Sequence, residues 1–211
     1  MENIVEIRNV DKSFGEIQVL KDFSLNVKVG SFTTISGASG CGKSTLLNMV
    51  GLLDKPDTGE IIFFGKLKIQ PFSRQANTVL RTKIGYLFQN YALIDEKSVE
   101  QNLEIALEYV KHPDPKVAIA NALDIVGLYG FEKKKVFQCS GGEQQRIAIA
   151  RLLLKPCALV LADEPTGSLD EANKHLVVKL LKVLQSRGKT ILMVTHDPEI
   201  IAISDENVSM D

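Results

Sequence analysis

A nine-residue stretch, residues 37–45, constrains the fold of this 211-residue chain more than any other part of it. It reads Gly-Ala-Ser-Gly-Cys-Gly-Lys-Ser-Thr, follows the apolar run Phe32–Ser36 and leads into residues 43–53, which have the pattern of a helix. Glycines let backbone N–H groups converge on an anion, and the positive end of the helix dipole points at the same place. The pattern G-x-x-x-x-G-K-[ST] between a strand and a helix therefore predicts a loop that binds phosphates.

The residue types of this loop indicate a nucleotide bound together with Mg²⁺. Lys43 supplies a positive charge for the β- and γ-phosphates, and Ser44 supplies a hydroxyl for the metal. The predicted nucleotide contacts are Gly37, Ala38, Ser39, Gly40, Cys41, Gly42, Lys43, Ser44 and Thr45. A guanine site usually carries Asn-Lys-x-Asp, whereas the nearest stretch, residues 173–176, lacks the acid. Adenine, which is recognised mainly by stacking, is therefore the expected base.

Two acidic residues follow a second apolar run, residues 158–162, which is typical of a strand buried on both faces. Asp163 is expected to hold Mg²⁺, directly or through water, opposite the phosphate loop. Glu164 then lies beside the γ-phosphate, where it can act as general base toward the attacking water. The alternative is a pair of surface acids capping a turn, but the buried strand and the phosphate loop together favour the catalytic interpretation.

Strand-like and helix-like segments alternate along the chain, which predicts an α/β fold with a mainly parallel sheet. The other expected strands are residues 4–10, 25–29, 60–64, 84–88 and 189–194. Residues 98–154 have a helical pattern, with a start signal at Asp114 and Pro115 and a capping-box pattern at Ser140. A further helix is expected over residues 168–184.

The long helical stretch divides the predicted domain. We assign residues 1–89 and 156–211 to a nucleotide-binding core and residues 90–155 to an inserted helical lobe.

Composition excludes several classes of protein. The net charge of −1 gives no sign of the basic face that a nucleic-acid-binding protein needs, so no nucleic-acid partner is expected. No apolar run approaches the roughly 20 residues needed to span a bilayer, and the N-terminus lacks a signal-peptide pattern. The three cysteines have no metal-ligand spacing. These features predict a cytoplasmic protein whose membrane role depends on its partners.

A further motif identifies a family. Residues 139–146 read Cys-Ser-Gly-Gly-Glu-Gln-Gln-Arg, which resembles the signature motif of ABC ATPases, usually Leu-Ser-Gly-Gly-Gln followed by Gln-Arg. Other family elements follow in order over essentially the whole chain. Phe14 matches the aromatic residue that stacks on adenine, and Gln89 matches the glutamine that contacts Mg²⁺ and signals to the membrane partner. Asp170 matches the loop that couples the two sites of a dimer, and His196 the histidine that contacts the γ-phosphate.

This resemblance implies a P-loop NTPase (RecA-like) core with an N-terminal antiparallel β subdomain and an inserted α-helical subdomain. It implies an ATPase that forms a head-to-tail homodimer, with each ATP between one subunit's phosphate loop and the other's signature motif. The signature residues expected at the partner's nucleotide are Ser140, Gly141, Gly142 and Glu143. The other implied partner is the transmembrane permease of an ABC transporter, which would hold the subunit at the inner face of the cell membrane.

The residues around the motifs narrow the resemblance. Residues 53–59 and 162–170 are similar to the lipoprotein-release, macrolide-export and cell-division group (LolD, MacB and FtsE types). Residues 86–94 are similar to ATPases that accompany bacteriocin-export or immunity permeases. This implies a MacB/FtsX-like permease that exports or extracts a peptide, lipoprotein or drug-like substrate. An ATPase acting on DNA or ribosomes, and a regulatory protein that binds ATP with negligible hydrolysis, remain alternatives.

Two residues depart from the family pattern. Glu143, in place of Gln, either adds negative charge near the partner's nucleotide and slows hydrolysis, or stabilises the helix start as the last residue of S-x-x-E. Cys139 replaces Leu, and one hypothesis is that it approaches Cys41 of the opposite subunit closely enough to crosslink on oxidation. The alternative is two unreactive small residues in a reducing compartment. The run of lysines at residues 133–135 is expected to be a solvated face.

Overall fold

The structure is a computed structural model and describes residues 2–65, 67–110, 112–167 and 169–210. Its strands are β1 (Asn3–Phe14), β2 (Ile17–Lys28), β3 (Phe32–Ser36), β4 (Thr58–Phe63), β5 (Leu67–Lys68), β6 (Ile84–Leu87), β7 (Leu159–Asp163), β8 (Thr190–Val194) and β9 (Glu206–Ser209). Its helices are α1 (Lys43–Val50), α2 (Arg74–Thr82), α3 (Val99–Leu107), α4 (Pro115–Ile125), α5 (Gly141–Leu154), α6 (Glu171–Ser186) and α7 (Pro198–Ile203), with one 3₁₀ turn at Val136–Gln138.

Five strands form a parallel sheet in the order β6-β7-β8-β3-β9. Its central strands β7, β8 and β3 are almost fully buried, as their continuous apolar sequences predict. The loops that follow β3, β6, β7 and β8 therefore leave the same edge of the sheet. Ligands of open parallel sheets bind at this carboxyl edge, so the fold places the functional loops together. The predicted mainly parallel sheet is confirmed.

A second, antiparallel sheet has the order β2-β1-β4-β5 and is built largely from the N-terminal strands, as the resemblance implied. Its first strand extends to Phe14, four residues beyond the predicted end at residue 10. Register shifts between Ile7 and Val10 and between Val10 and Lys12 interrupt the apolar alternation, which hid the second half of the strand from the sequence pattern.

The helices α3, α4 and α5 lie in the chain between β6 and β7. The start of α4 is as predicted, because Asp114 accepts hydrogen bonds from the N–H groups of Lys116 and Val117. The capping box at Ser140 is also confirmed. The last long helix begins at Glu171 rather than at residue 168, because Asp170 caps it; Ser168 itself lies outside the described residues.

Four short elements were missed: β5, α2, α7 and β9. Helix α2 follows the N-cap Ser73 but buries only Ala76 and Val79, so its apolar pattern is weak. Helix α7 carries a usable signal, Asp197 followed by Pro198, but it has only six residues. The edge strand β9 alternates intermediate and exposed residues and has no apolar run. Over the residues that the structure describes, no helix combines the length and apolar character needed to cross a bilayer.

Candidate active site

One cleft of about 650 Å³ lies at the carboxyl edge of the parallel sheet. It is lined by Phe14, Val19, Gly37, Ser39, Gly40, Gly42, Lys43, Ser44, Thr45, Gln89, Glu164, Gly167, Val194 and His196. The three residues predicted to be catalytic, Lys43, Glu164 and His196, are therefore brought together with the predicted base-stacking residue Phe14. Sequence reasoning did not single out Val19, Gly167 or Val194, whose position on the cleft depends on the tertiary fold.

The phosphate loop has backbone geometry that side chains would obstruct. Gly42 has a φ of 98°, and a Cβ there would lie 2.7 Å from Val19 Cγ1 and 3.0 Å from the Val19 carbonyl oxygen. Helix α1 begins at the next residue, Lys43. The Lys43 ammonium donates hydrogen bonds of 2.7 Å to the carbonyl oxygens of Gly37 and Ala38. The positive charge thus lies within the loop, next to the N-terminal end of the helix.

The two predicted acids face different parts of the site. Ser44 Oγ donates to Asp163 Oδ1 at 3.3 Å, so the hydroxyl and the carboxylate predicted to share Mg²⁺ are neighbours. These are hard oxygen ligands of the kind that Mg²⁺ prefers. Asp163 also lines a neighbouring cleft with Gln89, the third predicted metal contact.

Glu164 and His196 form a direct pair. His196 Nδ1 lies 2.9 Å from Glu164 Oε1, and the two side chains are 75% and 23% exposed. Glu164 has a φ of 44°, a left-handed conformation that is uncommon for a residue with a side chain. Its N–H still donates to the Val194 carbonyl oxygen at the end of β8. Left-handed backbone of this kind clusters at functional sites, where surrounding contacts hold it.

The signature residues do not line this cleft. Ser140 caps α5, and the capping box joins Glu143 Oε2 to the Ser140 N–H at 2.7 Å. Lys134 Nζ lies 3.2 Å from the same carboxylate. Burial opposes ionisation of Glu143, but the Ser140 N–H and Lys134 outweigh it and lower the pKa of Glu143. The charge of Glu143 is therefore compensated within its own subunit.

The prediction that the lysines at residues 133–135 form a solvated face is wrong for Lys134, whose side chain is 30% exposed, whereas Lys133 and Lys135 are exposed. Lys134 pairs with Glu143 and lies over the Phe131 ring, with Nζ 4.4 Å from the ring centroid. Lys135 Nζ donates to the Glu96 carbonyl oxygen at 2.9 Å. The run of charges gave no signal of these contacts, because charge patterning does not show how the segments around it pack together.

The start of α5 packs tightly on the start of α6. A Cβ at Gly142 would lie 2.6 Å from Asn173 Oδ1. Asn173 in turn donates from its backbone N and from Nδ2 to the carboxylate of Asp170. The backbone N–H and the side-chain amide of Asn173 lower the pKa of Asp170. The signature motif and the predicted coupling loop are thus linked through one asparagine.

A lysine that sequence reasoning missed connects the coupling loop to the histidine loop. Lys174 Nζ lies 2.8 Å from Asp197, which follows His196, and 3.2 Å from Glu171. One possible metal-ligand atom from each of Glu171, His175 and Glu199 lies within 4.8 Å of the other two. Lys174 already supplies the cation for both carboxylates, and all three residues of the group are exposed, so we assign no metal there.

The two cysteines of the crosslinking hypothesis differ in environment. Cys139 is buried, and its burial raises the pKa of the thiol. Cys41 is half-buried in the phosphate loop, with Sγ 3.6 Å from Lys43 Nζ. A buried thiol with a raised pKa is a poor nucleophile. This geometry favours the alternative of unreactive small residues, and crosslinking stays an untested prediction.

Comparison with known proteins identifies relatives of this site. The family model described as ABC transporter matches residues 20–167. The chain is 41% identical over 216 aligned residues to the spermidine/putrescine import ATP-binding protein PotA of Clostridium novyi, covering 100% of this chain and 60% of that protein. It is 39% identical to the macrolide export ATP-binding/permease protein MacB of Mannheimia succiniciproducens, covering 99% of this chain and 33% of that protein. The chain therefore spans between one third and three fifths of the length of these curated relatives.

Solved structures share the fold over nearly the full chain. A dimeric post-hydrolysis structure of the ATP-binding cassette MJ0796 with ADP and Pi has a TM-score of 0.86 and 35% sequence identity. The match covers 97% of this chain and 93% of that one. The predicted P-loop NTPase fold is thereby confirmed.

Proposed function

This chain belongs to the ABC transporter family of ATP-binding cassettes, and we propose that it is the subunit whose ATP hydrolysis drives a separate transmembrane permease. The observation that carries this proposal is the cleft shared by Lys43, Glu164 and His196. A phosphate-binding charge and a carboxylate–imidazole pair on one cleft are the groups that phosphoryl transfer to water requires.

Nucleotide binding is assigned to the two ends of the cleft. Phe14 stacks on adenine at the outer end, where its ring is 53% exposed. The phosphate loop binds the triphosphate, which takes the Lys43 ammonium in place of the carbonyl oxygens of Gly37 and Ala38. Ser44, Asp163 and Gln89 hold Mg²⁺, which, when bound, neutralises charge on the β- and γ-phosphates.

Hydrolysis is assigned to Glu164 and His196. The Glu164 carboxylate orients the attacking water and accepts its proton. The contact of His196 Nδ1 with Glu164 Oε1 leaves Nε2 as the ring nitrogen for the γ-phosphate, to which it donates when it carries a proton. The pair therefore fixes the direction of both side chains before the nucleotide is in place.

The second half of each site comes from another copy of the chain. Ser140, Gly141 and Gly142 lie at the start of the 14-residue helix α5, where N–H groups without helical partners can bind an anion. They do not line their own subunit's cleft. A head-to-tail homodimer places them, with Glu143, over the partner's γ-phosphate, and Asp170 between the two sites. The MJ0796 relative was solved as a dimer, which supports this arrangement.

The permease is assigned to the groove beside Gln89. Tyr86 and Phe88 stack there with ring centroids 4.2 Å apart, opposite Ile105 and Tyr109 of the helical lobe. Tyr86 of β6 and Phe88, which immediately precedes Gln89, line this groove. A helix of the permease inserted into the groove would therefore move together with Gln89. This partner would hold the subunit at the inner face of the cell membrane, in the cytoplasm.

For the transported substrate, we propose a MacB/FtsX-like permease that exports or extracts a peptide, lipoprotein or drug-like molecule. The MacB relative and the likeness of residues 53–59 and 162–170 to that group support export. Import is the second candidate, because PotA proteins are equally similar to this chain. Co-expression with each type of permease distinguishes them, since only the cognate permease should co-purify and raise the ATPase rate.

The test of the proposed function is phosphate release from the purified chain with Mg-ATP, with and without the co-purified permease. We expect ATP-dependent release that Lys43→Met abolishes and that the exposed control Lys21→Met leaves intact. Release that is absent in the presence of a bound permease would contradict the proposal and favour a regulatory ATP-binding protein.

A further inference from the structure

A buried lysine lies next to the ring that is assigned to adenine. Lys12 is only 6% exposed, although burying an ammonium is costly unless it is paired. Its Nζ donates to Asp54 Oδ1 and to the Lys55 carbonyl oxygen, both at 2.8 Å. The same Nζ lies over the Phe14 ring, 5.0 Å from its centroid. This is within the range of a cation–π contact.

The loop of residues 54–58, which binds the Lys12 ammonium, also binds the residues of β1 on either side of Lys12. Asp57 Oδ2 accepts from the Ser13 N–H at 2.7 Å, and Thr58 Oγ1 donates to Asp11 Oδ2 at 2.6 Å. The Asp57 N–H donates to the Asp11 carbonyl oxygen at 3.0 Å. Residues 54–58 thus bind the last part of β1, immediately before Phe14. They belong to the stretch whose sequence resembles one branch of the family, and the proposed function gives them no role.

The two faces of the Phe14 ring have different surroundings. Phe14 lines the nucleotide cleft, whereas Lys12 is not among the residues that line it. Lys12 is buried and bonded to Asp54 and Lys55, whereas Phe14 is 53% exposed, so the ring offers the cleft a surface that the ammonium does not occupy. An exposed aromatic side chain loses rotamer freedom when a ligand stacks on it, and a ring that is already held avoids part of this loss.

We propose that Lys12 is a positioning residue for the nucleotide base, which holds the Phe14 ring from behind so that its open face meets adenine. Asp54 and the Lys55 carbonyl hold Lys12 in turn. This inference rests on the proposed stacking of adenine on Phe14. Burial opposes ionisation of Asp54, but the hydrogen bonds from Lys12 and from the Lys55 N–H outweigh it and lower the pKa of Asp54, which keeps the anchor charged.

A purely structural role for Lys12 makes a different prediction. If Lys12 only stabilised β1 against the loop of residues 54–58, its loss would weaken all ligands of the cleft alike. If Lys12 instead acts by positioning Phe14, its loss would weaken the binding only of ligands that carry a base. Comparing Mg-ATP with Mg-tripolyphosphate, which has the phosphates without adenosine, separates the two roles.

The experiment measures the affinity of both ligands for wild type, Lys12→Met, Phe14→Ala and the double variant. We expect Lys12→Met to weaken ATP binding about three- to tenfold, the range of a cation–π contact, and to leave tripolyphosphate binding within about twofold. On the Phe14→Ala background, Lys12→Met should cause no further loss. Lys12→Arg keeps the cation and should restore ATP affinity. Lys28→Met, on the neighbouring strand and half exposed, is the matched control.

If Lys12→Met does not fold, Asp54→Asn takes its place in the experiment. We expect it to weaken ATP binding less than Lys12→Met would. The proposal is overturned if Lys12→Met, or Asp54→Asn in its place, weakens both ligands equally. It is also overturned if the loss of ATP affinity persists on the Phe14→Ala background. If Phe14→Ala itself leaves the ratio of ATP to tripolyphosphate affinity unchanged, the base-stacking assignment fails as well, which distinguishes the two failures.

Discussion

His196 Nδ1 lies 2.9 Å from Glu164 Oε1, and this pair connects the ends of two neighbouring parallel strands across the nucleotide cleft. The contact gives the imidazole a fixed orientation and keeps the carboxylate at the position assigned to the attacking water. We predict that His196→Ala lowers the rate of ATP hydrolysis about 100-fold or more, the lower end of the effect of a positioned acid–base group. ATP affinity should change by less than about threefold, because the phosphate loop supplies most of the binding. Single-turnover phosphate release together with nucleotide titration measures both quantities.

Lys43 provides the strongest test of the phosphate loop. Its ammonium is the mobile charge of the loop, so Lys43→Met should weaken ATP binding about 10- to 100-fold, the range of a hydrogen bond to a charged group. Lys21→Met removes a charge from an exposed position of β2 and should have no effect. Fluorescent-nucleotide titration measures the affinities. Equal affinities in wild type and Lys43→Met would contradict the assignment of the triphosphate to this loop.

Glu143 is predicted to stabilise the helix that carries the signature motif. Glu143→Ala removes the capping box and the pairing with Lys134, and should lower the free energy of unfolding by about 1 kcal/mol at pH 7. The pKa of Glu143 is lowered from 4.5 in the folded protein, so this stabilisation is present above pH 4.5 and is lost as the pH falls through the folded pKa. Urea unfolding at pH 7 and at pH 3.5 should show the difference shrinking. Glu104→Ala, at an exposed position of α3, is the control.

Gly142 is predicted to couple the signature helix to Asp170. A Cβ there overlaps the Asn173 side chain, which holds Asp170. Gly142→Ala should therefore displace Asn173, deprive the exposed Asp170 carboxylate of its hydrogen bonds from Asn173 and impair ATP-dependent dimerisation. Replacing Asn173 by Ala removes the overlap and the side-chain hold on Asp170 together, so Gly142→Ala should cause no further loss of dimer on the Asn173→Ala background. Sedimentation with ATP measures the dimer fraction. A double variant that dimerises less than Asn173→Ala alone would refute the steric coupling.

Much of the site followed from the sequence because its residues sit beside strong local patterns. The phosphate loop and the acidic pair each follow a short apolar run, and buried parallel strands of this kind end at one edge of the sheet. That relation placed Lys43 near Glu164 although 121 positions separate them. The capping box at Ser140 was equally visible, since its signal is confined to four residues.

The contacts that escaped prediction depend on how separate segments of the chain pack against one another. Lys134 was assigned to a solvated face, yet its partner Glu143 is nine positions away across a turn, and charge patterning cannot show that the two meet. Lys12 belongs to β1, whereas Asp54 lies in the loop between α1 and β4, and only the tertiary fold brings the two together. The second half of β1 was hidden by register shifts, and α7 and β9 are too short for a periodic pattern.

The central claim is that two copies of this chain close on ATP and that Glu164 triggers their release. The most direct test compares wild type with Glu164→Gln, which keeps the size of the side chain and removes its ability to accept a proton. Phosphate release and the elution volume on a sizing column are measured with Mg-ATP. The account predicts that wild type hydrolyses ATP, whereas Glu164→Gln binds ATP without hydrolysing it and elutes as a dimer that reverts to a monomer when ATP is removed. A Glu164→Gln variant that hydrolyses ATP at the wild-type rate, or that stays monomeric with ATP bound, would contradict it.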